Sequence, residues 1–228
     1  MAIRLARFAA LRQYRFDAVC YDPSFAGCLI PFNAALNDVS DRVTYQSVGL
    51  SRHGGPHLFH QIRGNSDASR LDLTITDLPE MEFESYPIWT VTGAACFAEV
   101  PEGAHLMAKF DVEGVDAEII MDNLDELNDA TLMIELAVGQ GQYKTIDTAA
   151  YLRTLDKTHS LFDLVYLQQP TSAALIDKDH IEDFIADIPK RAYGFTDILA
   201  VPRSLPAHDD LATALTNLPP QEPSYVMG

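Results

Sequence analysis

Alternation of apolar and polar side chains is the clearest signal in this chain, and it points to β-strands. Residues 104–112 read AHLMAKFDV, with Leu106, Ala108, Phe110 and Val112 on one face and His105, Met107, Lys109 and Asp111 on the other. A period of two is the mark of a half-buried strand. Residues 131–138, TLMIELAV, repeat it with Leu132, Ile134, Leu136 and Val138 on one side. Leu71, Leu73 and Ile75 alternate over 71–75, and Leu58, His60 and Ile62 over 58–63. Residues 43–50 and 143–146 are further expected strands. Residues 88–100 are rich in β-branched and aromatic side chains. The turn Pro101-Glu102-Gly103 is expected to join them to 104–112 as a hairpin, since Pro fixes φ and Gly accepts positive φ.

After residue 146 the texture changes. Asp147 and Thr148 cap an expected helix over 149–155. Ile181, Phe184, Ile185 and Ile188 follow i, i+3, i+4, i+7 spacing and predict a helix over 177–187. Acidic residues fill its first turn, where the macrodipole favours them, and Pro189 ends it. Residues 160–167 are strongly apolar and fit strand or helix. A last strand is expected over 196–200 and a short helix over 209–218. Residues 17–41, with the turn-like Tyr21-Asp22-Pro23-Ser24 and Ile30-Pro31-Phe32-Asn33, read as irregular chain. Residues 115–121 are ambiguous, and the acidic run 122–129 after them reads as a loop or one or two helical turns.

Many short strands separated by turns predict a mainly β fold: an antiparallel β-sandwich or barrel core with a few peripheral helices in the C-terminal third, an α+β arrangement. Four regions follow. Residues 1–16 form a basic N-terminal arm and 17–147 a β-rich core. Residues 148–218 form a mixed helical and strand part packed on that core, and 219–228 a Pro-rich extended tail.

Charge sharpens this picture. The chain has 228 residues, is 47% hydrophobic and carries a net charge of −17. Residues 1–16 contain Arg4, Arg7, Arg12 and Arg15 and no acidic residue, which leaves the remainder at −21. Phosphate contacts need clustered Lys and Arg, so direct sequence-specific binding of nucleic acid is not expected. Cys20, Cys28 and Cys96 include no CxxC pair. An odd count without close pairs argues against a disulfide scaffold or zinc ribbon and for reduced thiols. No apolar run reaches the roughly 20 residues of a membrane helix. Arginines interrupt every run that a secretory signal peptide would need. The first 16 residues share the Arg-rich, acid-free character of a mitochondrial presequence but contain no Ser. The expected location is a virion or the cytoplasm.

Candidate chemistry is sparse. His53, His57 and His60, with His105 further on, are the best metal-ligand candidates, of the kind that cupin-type enzymes hold inside a β-barrel. Their spacing departs from the H-x-H motif followed by Glu of that family. If 58–63 is a strand, His57 and His60 also point to opposite faces. Asp122, Asn123, Asp125, Glu126 and Asp129 offer hard-cation oxygens without the EF-hand order or its glycine. Trp89 with Tyr86 and Phe83 would make an aromatic sugar platform, although a lone Trp in an apolar strand is usually core. There is no G-x-S-x-G elbow and no P-loop, and Gly139-x-Gly141 lacks a third glycine. No cofactor and no catalytic residue is expected.

The two ends carry the functional expectation. A basic arm around Arg4, Arg7, Arg12 and Arg15, an acidic β body and an extended tail with Pro219, Pro220 and Tyr225 are the parts of a self-assembling subunit. Opposite charge steers such an arm to its neighbour. The expected function is a non-enzymatic structural subunit of a large oligomer. A virus or phage particle component (capsid, cement or tail protein) fits best, with itself or other structural subunits as partners. The alternatives are a metal-dependent β-barrel enzyme using the His53/His57/His60 region, and an accessory subunit of an organellar or bacterial complex.

Overall fold

The computed structural model of the protein describes residues 1–63, 69–71, 82–112, 115–138, 146–164, 173–191 and 194–217. The chain divides into two compact units, Met1–Gly93 and Ala94–Gly228. Strands and helices are interspersed in both, which makes the architecture α+β with mixed sheets.

In the first unit, helix α1 (Ala2–Leu11) precedes a two-stranded parallel sheet of β1 (Ala18–Tyr21) and β2 (Val43–Gln46), in register from Ala18↔Val43 to Tyr21↔Gln46. A parallel pair needs a crossover. The 3-10 turn Phe25–Cys28 and helix α2 (Leu29–Leu36) supply it. Asp22 Oδ1 accepts from the Ser24 N–H at 2.8 Å, and Ser24 Oγ accepts from the Gly27 N–H at 3.3 Å. Gly27 is required by crowding: a Cβ there would lie 2.8 Å from Tyr45 Oη and 2.9 Å from the Asp22 carbonyl oxygen. Ala6 of α1 and Ala34 of α2 share one small core cluster with Val39 and Val43. The segment 1–16, expected as an arm, is therefore docked on its own unit through small side chains that let the helix come close.

The second sheet of this unit has the order β3-β6-β4-β5, built from β3 (Gly49–Leu50), β4 (Gly55–Ile62), β5 (Arg70–Leu71) and β6 (Phe83–Val91). β4 and β6 are antiparallel from Gly55↔Thr90 to Ile62↔Phe83, while β3 runs parallel to β6.

Helix α3 (Gly93–Phe97) leads into the second unit, where Phe97 packs edge-on against Phe110 with ring centroids 6.3 Å apart. Its sheet has the order β10-β9-β11-β8-β7. Strand β7 (Met107–Phe110) is parallel to β8 (Thr131–Leu136), and helices α4 (Asp116–Asp122) and α5 (Leu124–Leu127) make the crossover. Helix α6 (Thr148–Leu155) leads to β9 (His159–Leu164). It begins as expected with Asp147 Oδ1 accepting from the Ala150 N–H at 2.9 Å. Strand β10 (Ala173–Leu175) pairs with β9, helix α7 (Ile181–Asp187) follows, and β11 (Thr196–Pro202) inserts antiparallel between β8 and β9. Helix α8 (His208–Thr216) comes last.

Register assigns the two faces of this sheet. Leu132, Ile134, Leu136, Leu161, Ile198 and Ala200 share one face and are buried; Ile119, Ile120, Leu127, Leu152, Leu155 and Ile181 of α4–α7 are buried as well. On the other face, Phe162, Ala173 and Val201 are covered by Leu211, Ala212 and Leu215 of α8.

Several expectations change. Each of the three sheets contains one parallel pair, β1–β2, β3–β6 and β7–β8, so antiparallel pairing alone does not describe the fold. The run 88–100 breaks at residue 92 because Gly93-Ala94-Ala95-Cys96-Phe97 winds into α3, and the hairpin through 101–103 does not form; β7 pairs with β8 instead. Residues 43–50 split into β2 and β3, which belong to different sheets. The acidic run 122–129 takes the helical alternative: it holds the end of α4 and the single turn of α5. The expected strands over 72–75 and 143–145, and the turn with Gly139 and Gly141, lie outside the described residues.

Candidate functional site

The histidine candidates are placed apart. His53 is exposed in the loop before β4. His57 and His60 lie on opposite faces of β4, paired with Ile88 and Ser85. His60 is buried, with Nδ1 2.8 Å from Ser85 Oγ and its ring edge-on to Phe83. His105 belongs to the second unit, where Nε2 sits 2.9 Å from Thr131 Oγ1. Among the described residues, no three His, Cys, Asp or Glu side chains are grouped to hold a metal ion. The acidic run offers no such group either. Asn123 is buried with its Nδ2 donating to the Ile119 carbonyl at 2.7 Å, and Asp129 accepts from Ser204 Oγ.

His57 Nε2 lies 3.3 Å from Ser51 Oγ, a pair that invites a nucleophile–base reading. The hydroxyl order argues otherwise. Thr90 Oγ1 donates to the Gly55 carbonyl at 3.1 Å, so the 2.7 Å contact between Ser51 and Thr90 has Ser51 as donor. Ser51 Oγ is left as acceptor for His57 Nε2–H and for the Gly54 N–H at 3.1 Å. Its proton points away from the imidazole, and the network clamps the loop 51–55, where Gly54 and Gly55 have φ of +67° and +98°.

A row of three carboxylates crosses the sheet of the second unit. Asp197 on β11 is paired with Glu135 on β8, and Asp111, just past β7, follows Phe110, which is paired with Ile134. Burial and then the Asp111 and Asp197 charges raise Glu135 to about 7. Burial also raises Asp197. Lys109, two residues from Asp111 and bonded to it, offsets part of this; its own affinity for protons is lowered by burial but raised on balance by the Asp111 bond. On the opposite face Asp163 is buried and held by Arg191 through two bonds of 2.9 and 3.0 Å and by Thr196 Oγ1 at 2.6 Å. These groups escape sequence reasoning because only strand pairing brings them together.

Exposure singles out a different surface. Among the described residues, fourteen large hydrophobic side chains are exposed, and nine of them lie within the first 36 residues: Met1, Phe8, Leu11, Tyr14, Val19, Phe25, Leu29, Phe32 and Leu36. That concentration makes the surface of residues 1–36 the best candidate site among the described residues, since clustered exposed apolar side chains mark interaction. The arginines lie in the same segment. Arg7 Nη1 donates to Asn37 Oδ1 at 2.9 Å, tying α1 to the end of α2. The Arg12 guanidinium sits 5.5 Å over the Phe8 ring, and Arg15 lies 3.8 Å from Asp17. Arg4 is exposed on α1. The other expected contact residues, Pro219, Pro220 and Tyr225, lie outside the described residues. Trp89 is 61% exposed instead of buried, and Tyr86 faces the other side of β6 against Phe25 and Phe59, so no three-ring platform forms.

No helix among the described residues is long and apolar enough to cross a membrane. No family model, curated protein or solved structure matches the chain.

Proposed function

We propose that the protein is a non-enzymatic assembly subunit, which works by binding copies of itself or other structural subunits within a large oligomer. A virus or phage particle, as a capsid, cement or tail component, is the setting that this reading favours. The observation that carries it is the crowding of exposed apolar side chains into residues 1–36 of a molecule with net charge −17. Such charge elsewhere keeps a protein apart from its neighbours, whereas an apolar face of this kind is stable in water only when covered. The arginines of α1 serve as the rim of that face. In this reading the contact is a docked surface and not a free arm, because Ala6 and Ala9 are buried.

The test is the mass of the native species by light scattering and native mass spectrometry, with any co-purifying subunit identified. Assembly above the monomer, or a stoichiometric partner, is expected. A strict monomer at every concentration, with no partner retained, overturns the proposal.

A further inference from the structure

Helix α2 inverts the usual distribution of a surface helix. No charged residue occurs between Asp22 and Asp38. The helix buries Ala34 and leaves Leu29, Phe32 and Leu36 exposed by 57%, 60% and 65%. Their spacing, i, i+3, i+7, puts them on one side. Phe25 comes four residues earlier, with its ring 5.1 Å from that of Tyr86 and most of its surface still open. Four large apolar side chains at 25, 29, 32 and 36 make a seam of the kind that pairs with another helix.

Charge indicates which helix. Residues 1–46 hold five arginines (Arg4, Arg7, Arg12, Arg15 and Arg42) and four aspartates (Asp17, Asp22, Asp38 and Asp41), whereas the rest of the chain stands at −18. Two molecules of net charge −17 repel where their acidic surfaces meet. They can approach on a face that is nearly neutral and carries both signs. A two-fold contact requires a patch complementary to itself. Here the centre is apolar, Arg7 of α1 reaches Asn37 at the end of α2, and Asp22 and Asp38 stand before and after the uncharged run. An anionic membrane meets the same arginines but also repels the acidic remainder, which makes it the poorer occupant.

We propose that the outer face of α2, with Phe25, Leu29, Phe32 and Leu36 at its centre, docks on the same face of a second copy of this chain. This inference rests on the assembly-subunit reading and names its surface and partner.

The experiment is sedimentation velocity on the full chain across a concentration series, comparing the unmodified protein with Phe32→Glu/Leu36→Glu and with Trp89→Gln. Trp89 is equally exposed but lies on the other sheet of the same unit. The α2 variant is expected to dissociate at least tenfold more readily, with its circular dichroism and thermal midpoint unchanged, and the Trp89 variant to associate normally. A second readout uses the exposed Cys28 at the start of α2. Its maleimide labelling in the unmodified protein is expected to slow as the protein associates. If the unmodified protein associates, but the α2 variant associates equally well or Cys28 labels at one rate throughout, this surface is overturned while the assembly reading stands. If the unmodified protein stays monomeric and retains no partner, both fall; binding of that monomer to phosphatidylserine vesicles would assign the face to lipid.

Discussion

Glu135 and Asp197 stand directly opposite each other on neighbouring antiparallel strands, two half-buried carboxyl groups, and the Asp197 charge adds to the burial and the Asp111 charge that raise Glu135. Glu135 titrates at about 7 in the folded chain against 4.5 in the unfolded one. The folded state thus holds the extra proton between those values. This group's contribution to stability is greatest at or below about pH 4.5 and is lost as pH rises to about 7, above which the buried charge is a fixed cost. Replacing Glu135 with Gln is expected to stabilise the protein at pH 8 by about 1 kcal/mol, a figure reduced for the group's partial exposure. The gain should vanish near pH 4.5. Chemical denaturation of both proteins at the two pH values measures it; an equal difference at both, or none at pH 8, contradicts the assigned titration.

Arg191 neutralises the buried Asp163 with a two-pronged contact. Arg191→Met leaves that carboxylate, among the described residues, with the Thr196 hydroxyl and is expected to cost about 3 kcal/mol, since removing one partner of a buried pair strands the other. Asp163→Asn/Arg191→Met should recover part of the loss. Urea unfolding of the single and double variants decides the matter through the sign of their coupling.

Gly27→Ala tests the crossover that carries α2. The new methyl group must displace Tyr45 Oη and the Asp22 carbonyl, which it would approach to 2.8 and 2.9 Å. A loss of about 1–3 kcal/mol is expected, in the range for overpacked sites. Tyr45 also donates to that carbonyl at 2.9 Å, so Tyr45→Phe should lessen the penalty of the glycine change. Thermal denaturation reads both.

Trp89 is the single tryptophan of the chain and its ring is mostly in water. Its fluorescence is expected at the long-wavelength end of the tryptophan range, and acrylamide should quench it nearly as well in native as in unfolded protein. A blue-shifted, protected emission would place the ring under cover.

What could be read from the residues in order was the part whose pattern is local. Leu132, Ile134 and Leu136 alternate and are fully buried; Ile181 and Ile188 mark a helical face and are fully buried. Helix α2 escaped because it has no polar side to set against its apolar one, so no 3.6 period stands out, and Pro31 within it and Pro23 before it suggested turns. The 93–97 helix escaped because its five residues interrupt a run that composition alone assigns to a strand. The exposed seam was invisible for a related reason: Phe25, Leu29, Phe32 and Leu36 look like core in any sequence, and only the folded chain shows them outside it. The carboxylate row depends on β8 lying between β7 and β11, a juxtaposition of residues up to 86 apart that no short-range pattern encodes.

Strand β11 is the last strand of the second unit and yet lies between β8 and β9. A ribosome therefore delivers two edge strands, bounded by apolar Ile134 and Phe162, well before the piece that seals them. Through that interval the half-made sheet has bare hydrogen-bonding edges of the kind that recruit other chains. Pairings of such long sequence separation also form late. A nonsense codon before residue 196 would consequently leave a split sheet prone to aggregate, and synthesis pace or chaperone supply until β11 has emerged would govern the yield of folded protein.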